Sequence, residues 1–168
     1  MILIGIGSNL PSDYGPPRET CAAALDALER EPVRITARSR WYRSSPVPLS
    51  DQPWFVNGVI AIETELDPEA LLAALHRVEA EFGRAPPQER AAKPNAARPL
   101  DLDLLAYDEL VREGPEPPIL PHPRMAERAF VLLPLREIAP DWRDSESGEP
   151  LSALVEALSG EGIVQPID

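Results

Sequence analysis

Residues 55–83 read FVNGVIAIETELDPEALLAALHRVEAEFG, and this stretch predicts a strand followed directly by a helix. Apolar and β-branched side chains over residues 55–66 are typical of a strand, whose successive side chains point to opposite faces. Asp67 can cap the helix, Pro68 suits its first turn and Gly83 ends it. The apolar residues of the helix recur at helical spacing: Leu71, Leu75, Val78 and Phe82.

The flanking sequence extends this strand–helix unit into a larger fold. Apolar and β-branched runs predict three further strands, and apolar residues at helical spacing predict two further helices. The strands are at residues 2–6, 33–42 and 100–107, and the helices are at residues 21–28 and 151–158. The apolar segment 130–138 contains a proline, and its periodicity does not choose between helix and strand. The order β-α-β-β-α-β predicts a ferredoxin-like α+β fold, an antiparallel sheet with helices packed on one face.

Composition limits the classes of function. The chain has 168 residues, which suits a single domain over residues 1–168, and its 28 acidic and 16 basic residues give a net charge of −12. That acidity argues against binding to nucleic acids or anionic membranes. The opening apolar run is too short to cross a bilayer, and the single cysteine excludes an internal disulfide. We therefore expect a cytoplasmic protein, and we expect it to be a monomer.

Two groups of basic residues stand out against this acidity. One lies within residues 83–99, a segment with four prolines that has the length of a lid or a binding loop. The other follows Pro121. A small polyanion such as ATP would suit both groups, although solvated surface arginines give the same pattern. The first group is Arg84, Arg90, Lys93 and Arg98, and the second is His122, Arg124 and Arg128.

Asp101 and Asp103 form the sharpest local signal for chemistry. In the predicted strand RPLDLDL, residues 98–104, they share one face, whereas the leucines share the other. Two unpaired carboxylates about 7 Å apart disfavour each other's ionisation, and a pair of bound Mg²⁺ ions would relieve that repulsion. The alternative is a pair of solvent-facing residues on a half-buried strand. Arg98 would place a phosphate-binding cation beside the pair, which favours the metal site.

Polar side chains elsewhere are candidates for contacts with a nucleotide. His122 lies between two prolines and could donate a hydrogen bond to a phosphate oxygen, or it could cap local backbone. Glu79 flanks the apolar stripe of its helix, so we expect it to be partly buried and to have a partner, for which Arg84 is one candidate. His76 shares that helix face. Both residues could equally be plain surface side chains.

Phe55 and Asn57 point to one face of their predicted strand. An aromatic ring can stack on a flat heteroaromatic ring, and an amide can pair with its edge. The alternative for Phe55 is a place in the hydrophobic core. The pair is therefore a candidate site for a planar ligand.

Five short motifs occur in a specific order and spacing: IGSNL at 6–10, WYRS at 41–44, QPWFVN at 52–57, RPLDLDLL at 98–105 and PHPRMAERAF at 121–130. Together they resemble the 6-hydroxymethyl-7,8-dihydropterin pyrophosphokinase family of folate biosynthesis, over about residues 4–140. The resemblance implies a three-layered, ferredoxin-like βαββαβ core with helices packed on the faces of an antiparallel sheet. It also implies ATP as the donor of diphosphate, AMP as a product, and mobile loops that close over the site.

The resemblance further implies roles for the matching residues. Asp101 and Asp103 match two Mg²⁺-binding aspartates, and two aromatic rings, an amide and a hydroxyl match positions that hold the pterin. These pterin-binding candidates are Phe55, Phe130, Asn57 and Ser44. The candidates for nucleotide binding are His76, Glu79, Arg84, Arg98, His122 and Arg128. Arg84 and Arg98 are also expected to take part in catalysis with the two aspartates.

Two other functions fit parts of the sequence. Ferredoxin-like folds also serve as sensors that bind small molecules without catalysis, and a different Mg²⁺-dependent kinase would release ADP. Paired carboxylates beside Arg98 favour an enzyme over a sensor, and the identity of the nucleotide product distinguishes the two kinases.

Overall fold

The structure, a computed structural model, describes residues 1–46, 49–83, 97–160 and 162–167. Within these ranges the chain forms six strands, four α-helices and one 3₁₀ turn. The elements in chain order are β1 (Ile2–Ser8), α1 (Pro17–Glu29), β2 (Val33–Arg38), β3 (Tyr42–Ser44), β4 (Phe55–Thr64), α2 (Pro68–Glu81), β5 (Asp101–Tyr107), the 3₁₀ turn (Met125–Glu127), α3 (Ala129–Ile138), α4 (Leu151–Glu156) and β6 (Val164–Pro166).

The strands form one antiparallel sheet with a ferredoxin-like core. β1 lies between β4 and β5, and β4 also pairs with β2 and β3. The strand order is β5-β1-β4-β2, so β4 lies between the two strands of the β1-α1-β2 unit, and β1 lies between the two strands of the β4-α2-β5 unit. The predicted fold class is therefore confirmed.

Helices cover both faces of the sheet, so the prediction from element order that they pack on one face is wrong. One core lies between the sheet and α1 and α2, and it includes Ile4 and Leu104. The other lies between the sheet and α3 and α4, and it includes Leu3 and Leu105. Every residue of β1 is buried, which is typical of a strand covered on both sides. The ambiguous segment 130–138 belongs to helix α3.

The predicted strand at residues 33–42 is in fact two strands. β2 pairs with the second half of β4, and β3 pairs with its beginning. Between them, Val59 N–H donates to the Ser39 side-chain oxygen at 3.0 Å. A side chain therefore takes the place of a backbone acceptor, and the ladder is interrupted. β6, which pairs with β3, was not predicted at all.

Local signals placed the second helix correctly. The Asp67 carboxylate accepts a hydrogen bond from Ala70 N–H at 2.8 Å, and Pro68 is the first helical residue. The strand before it ends at Thr64 rather than at residue 66. None of the helices in the described ranges is both long and apolar enough to cross a membrane.

Candidate functional site

The site lies on one face of the sheet, at the end where polar residues on two strands lie in register with a glycine on the strand between them. Asp101 of β5 pairs with Gly7 of β1, and Gly7 pairs with Asn57 of β4. Neighbouring strands are about 4.8 Å apart, so the backbones of Asp101 and Asn57 are separated by about 10 Å. Gly7 between them has no side chain. In the adjacent register, Asp103 faces Gly5. The two glycines leave an open floor between the aspartates and Asn57.

A first cavity of about 150 Å³ lies over this floor. Phe55, at the start of β4, and Phe130, at the start of α3, both line it. Asn57 and Ser44 line it as well. The structure thus brings together all four side chains that the family resemblance implies for pterin binding, although they come from three different elements.

The Asn57 amide is held in one orientation. Asn57 is 6% exposed, and the Ser44 hydroxyl donates to its side-chain oxygen at 2.5 Å. Its side-chain nitrogen lies so close to Gly7 that a Cβ atom there would be 2.9 Å away. These contacts leave the amide fixed at the cavity wall, ready to pair with the edge of a flat ligand.

A second cavity, of about 340 Å³, adjoins the first. His76 and Glu79 of α2 line it together with His122. The two cavities share four lining residues, and all four are charged. The shared residues are Arg98, Asp101, Asp103 and Arg128. The candidate metal ligands therefore stand where the cavity with the aromatic rings meets the cavity with the histidines.

Each aspartate is paired with an arginine. An Arg98 Nη lies 3.1 Å from Asp101 Oδ2, and an Arg128 Nη lies 3.8 Å from Asp103 Oδ2. The two carboxylates are therefore paired, whereas the predicted repulsion between them required that they be unpaired. The same arginines lie over the rings of Phe55 and Phe130, at 5.7 and 5.4 Å from the ring centroids.

The two aspartates suit a hard cation. Their carboxylates lie on the same sheet face, as predicted, and are about a quarter exposed. No cluster of three or more His, Cys, Asp and Glu side chains suited to a metal occurs among the residues described. Mg²⁺ commonly takes one or two protein carboxylates and completes its shell with water and substrate phosphates. The two carboxylates fit that mode of binding.

Glu79 supports the strand that carries the aspartates. It is 3% exposed, and its carboxylate accepts a hydrogen bond from Leu102 N–H at 2.8 Å. β5 is an edge strand, where alternate N–H groups have no strand partner. The expectations that Glu79 is buried and has a partner are confirmed, and the partner observed is the backbone between the two aspartates. Arg84, the proposed partner, lies outside the described residues, as do Arg90 and Lys93.

His122 is held as a neutral imidazole. Its ring Nδ1 accepts a hydrogen bond from Arg124 N–H at 3.2 Å, and the backbone N–H of His122 donates to Leu105 O at 2.8 Å. Burial, reinforced by the positive charge of Arg128, lowers the pKa of His122 to about 4. With Nδ1 accepting, the proton of the neutral ring is on Nε2, which can donate to an anion. The ring therefore accepts a hydrogen bond from local backbone at Nδ1 and keeps its Nε2–H as a donor, and the residue lines the second cavity.

Some lining residues were not predicted from the sequence: Gly5, Gly7 and Ser45. Arg124, a member of the second basic group, also lines the first cavity. Gly7 lies within the IGSNL motif, and its lack of a side chain was an available signal. Nothing in the sequence marks Ser45, because its place in the cavity depends on contacts with residues far along the chain.

Comparisons with known proteins give relatives that are similar to this chain over most of its length. The chain is 44% identical over 163 residues to a 2-amino-4-hydroxy-6-hydroxymethyldihydropteridine pyrophosphokinase from Pseudomonas aeruginosa, covering 96% of this chain and 94% of the relative. It is 43% identical over 139 residues to the protein of the same name from Methylorubrum extorquens, covering 82% of each chain.

Solved structures show the same fold. The wild-type HPPK-DHPS of Plasmodium falciparum matches with a TM-score of 0.66 and 11% identity, covering 92% of this chain and 44% of that one. This chain thus spans less than half the length of that solved protein. The family described as 7,8-dihydro-6-hydroxymethylpterin-pyrophosphokinase (HPPK) matches residues 3–140. With that match and the close relatives, the chain belongs to the HPPK family.

Proposed function

We propose that this protein transfers diphosphate from Mg·ATP to the hydroxymethyl group of 6-hydroxymethyl-7,8-dihydropterin and releases AMP. One observation carries the proposal: the cavity with the aromatic rings and the cavity with the histidines share two aspartates and two arginines. A planar substrate in one cavity and a triphosphate in the other would meet at these four charges. Family membership and the named relatives support the same reaction.

The first cavity is the proposed pterin site. Phe55 and Phe130 would contact the two faces of the ring, which excludes water and places the ring in one plane. Asn57, oriented by Ser44, would pair with the polar edge of the pterin. Because Gly7 separates Asn57 from Asp101 by about 10 Å, a bicyclic ring bound to the amide would reach toward the aspartates.

The second cavity is the proposed nucleotide site. Arg98, Arg128 and the Nε2 donor of His122 would bind phosphate oxygens, and His76 would contact the nucleotide beyond them. Glu79 would act mainly through the β5 backbone. Asp101 and Asp103 would hold two Mg²⁺ ions. Bound Mg²⁺ would supply charge neutralisation on the triphosphate and a lower pKa for the substrate hydroxyl.

The two arginines would change partners when substrates bind, from the aspartates to the phosphates. Without ligand, Arg98 and Arg128 neutralise Asp101 and Asp103. When cations bind the carboxylates, both arginines become available to the incoming phosphates, which carry the opposite charge. The site would then exchange partners without leaving a charge unpaired, and this limits the cost of bringing a polyanion into an acidic protein.

In the proposed reaction, the substrate hydroxyl oxygen forms a bond to the β-phosphorus of ATP. The bond between that phosphorus and the oxygen bridging to the α-phosphate breaks, so AMP leaves with this oxygen. The hydroxyl proton is lost to solvent, and we assign no general base. The residues contribute alignment and electrostatic stabilisation, without a covalent enzyme intermediate. Arg84, with Arg98, remains a proposed catalytic contact.

The test is an assay with Mg·ATP and 6-hydroxymethyl-7,8-dihydropterin in which the nucleotide products are separated chromatographically. We expect AMP and pterin diphosphate in equal amounts. Asp101→Asn should reduce turnover by orders of magnitude at an unchanged melting temperature, because it removes a metal ligand and keeps its shape. Asp108→Asn is the matched control: this exposed aspartate lies just beyond β5, its carboxylate pairs with the N-terminal amine, and asparagine tolerates the left-handed backbone that Asp108 adopts (φ 53°).

Other outcomes would identify the alternatives. ADP as the product would indicate a different Mg²⁺-dependent kinase, and ligand binding without turnover would indicate a sensor. Near-normal AMP production by a folded Asp101→Asn variant would refute the metal assignment. We further propose that residues 1–168 act as one domain, as a cytoplasmic monomer that binds neither nucleic acid nor membrane; its net charge of −12 supports the last point.

A further inference from the structure

The C-terminal segment, residues 162–167, adds a strand to the sheet beside the first cavity. Its strand β6 runs antiparallel to β3, with Val164 opposite Ser44. Next to this pair, Ser45 N–H donates to Ile163 O at 3.0 Å. The family match ends at residue 140, so it assigns no role to this segment.

The segment also binds the Ser45 side chain. Ile163 N–H donates to the Ser45 side-chain oxygen at 2.9 Å. Gly162 has a positive φ angle of +79°, and a Cβ atom at Gly162 would lie 2.9 Å from the same oxygen. Ser45 is 5% exposed and lines the first cavity. Its side chain is therefore held by residues more than one hundred positions away.

The same part of the chain reaches the opposite wall of the first cavity. A third cavity, of about 260 Å³, is lined by Ile163 and Val164 on one side. Ser45, Arg128 and Phe130 line both this cavity and the first one. They form the partition between the two spaces, and the C-terminal segment lies behind that partition.

We infer that the C-terminal segment is a positioning element for the pterin cavity. By pairing with β3 it holds Ser44 and Ser45 in place, and through Ser44 it orients the Asn57 amide. The described lining of the second cavity contains neither the segment nor Ser44 and Ser45, through which it acts, so its effect should fall mainly on the pterin. The inference rests on the proposed function for the identity of that ligand.

The test removes the hydrogen bonds of the segment and keeps the chain at full length. Ile163 N–H and Ile167 N–H both donate to the β3 side, and the alternation of an antiparallel ladder places Gln165 N–H on that side too. Ile163→Pro/Gln165→Pro removes two of these donors. Ile163→Ala/Gln165→Ala is the matched control, because it shortens the same side chains and keeps both donors.

Calorimetry would measure two affinities: that of a non-hydrolysable ATP analogue with Mg²⁺, and that of 6-hydroxymethylpterin in the presence of this analogue. Hydrogen exchange at the amides of Ser45 and Ile167 would report release of the segment. We expect faster exchange in the proline variant and about tenfold weaker pterin binding, which corresponds to about 1.4 kcal/mol. Affinity for the analogue should stay within twofold, and the alanine control should match the wild-type protein.

Each other result would overturn the inference. Faster exchange with unchanged pterin affinity would mean that the segment does not position the cavity, and equal weakening of both ligands would mean a general structural role. Weaker pterin binding in the alanine control would assign the effect to side chains. Exchange that stays slow in the proline variant would mean that these hydrogen bonds do not hold the segment. A wild-type protein that binds no pterin would instead refute the proposed function.

Discussion

Replacing Gly7 by alanine tests how the cavity floor is built. Gly7 lies in β1 between Asp101 and Asn57, and its φ angle is not positive, so alanine would not strain the backbone there. The new Cβ atom would, however, lie 2.9 Å from the Asn57 side-chain nitrogen. A normal contact is about 3.5 Å, so the amide would have to move by about 0.6 Å. β1 is paired on both sides and cannot easily yield.

The cost follows from the hydrogen bonds of Asn57. A displaced amide weakens the 2.5 Å bond from Ser44 and the bonds that we propose to the edge of the pterin. A hydrogen bond contributes about 0.5–1.5 kcal/mol net, so the loss of two proposed bonds from the amide to the pterin would cost about 1–3 kcal/mol of binding free energy. We therefore expect the Kd for the pterin to rise by about 5- to 150-fold.

The assay is calorimetric titration with 6-hydroxymethylpterin of four proteins: the wild type, Gly7→Ala, Asn57→Ala and the double variant. If the clash with Asn57 causes the loss, Gly7→Ala should cost nothing further once the amide is absent, because the two changes act on one contact. Affinity for the ATP analogue should not change. Equal losses from Gly7→Ala in both backgrounds would refute the reasoning.

Two other side chains allow sharp tests. Glu79→Leu should leave Leu102 N–H buried without its acceptor, which lowers stability by about 2 kcal/mol and the melting temperature by roughly 4–8 °C. Glu79→Gln keeps an acceptor and should cost less. Equal losses in the two variants would show that the charge of Glu79 matters and its hydrogen bond does not. For His122, the folded-state pKa of about 4 lies below the ordinary value of 6.5, so the unfolded chain binds more protons between these two values. Urea unfolding should therefore show stability falling as pH decreases from 6.5 to 4, by up to about 3 kcal/mol more in the wild type than in His122→Asn, and parallel profiles would contradict this.

Elements with local signals were predicted well. The capping aspartate and the following proline of α2 place its start, because both act within one helical turn. The alternation in β5 separates Asp101 and Asp103 from the leucines, because side chains of any strand alternate between faces. Resemblance to a known family then supplied candidate residues for both cavities, and the structure places the described ones around the same charges.

Features that depend on distant contacts were not predicted. The break between β2 and β3 arises where Ser39 bonds to β4, and β6 exists because β3 offers it an edge. The partner of Glu79 is a backbone amide more than twenty residues away. The sequence does not reveal such partners, since a carboxylate on a helix can accept equally well from many donors.

The sequence by itself determined where α2 begins, which residues of β4 and β5 share a face and that the two carboxylates lie together, because these follow from capping and from side-chain periodicity over a few residues. Only the tertiary structure decided which faces of the sheet are covered, how Asp101, Gly7 and Asn57 align, and that each aspartate meets an arginine. These arrangements depend on register between strands and on packing between segments far apart in the chain. That register brings the aspartates, the glycine floor and the amide into one site.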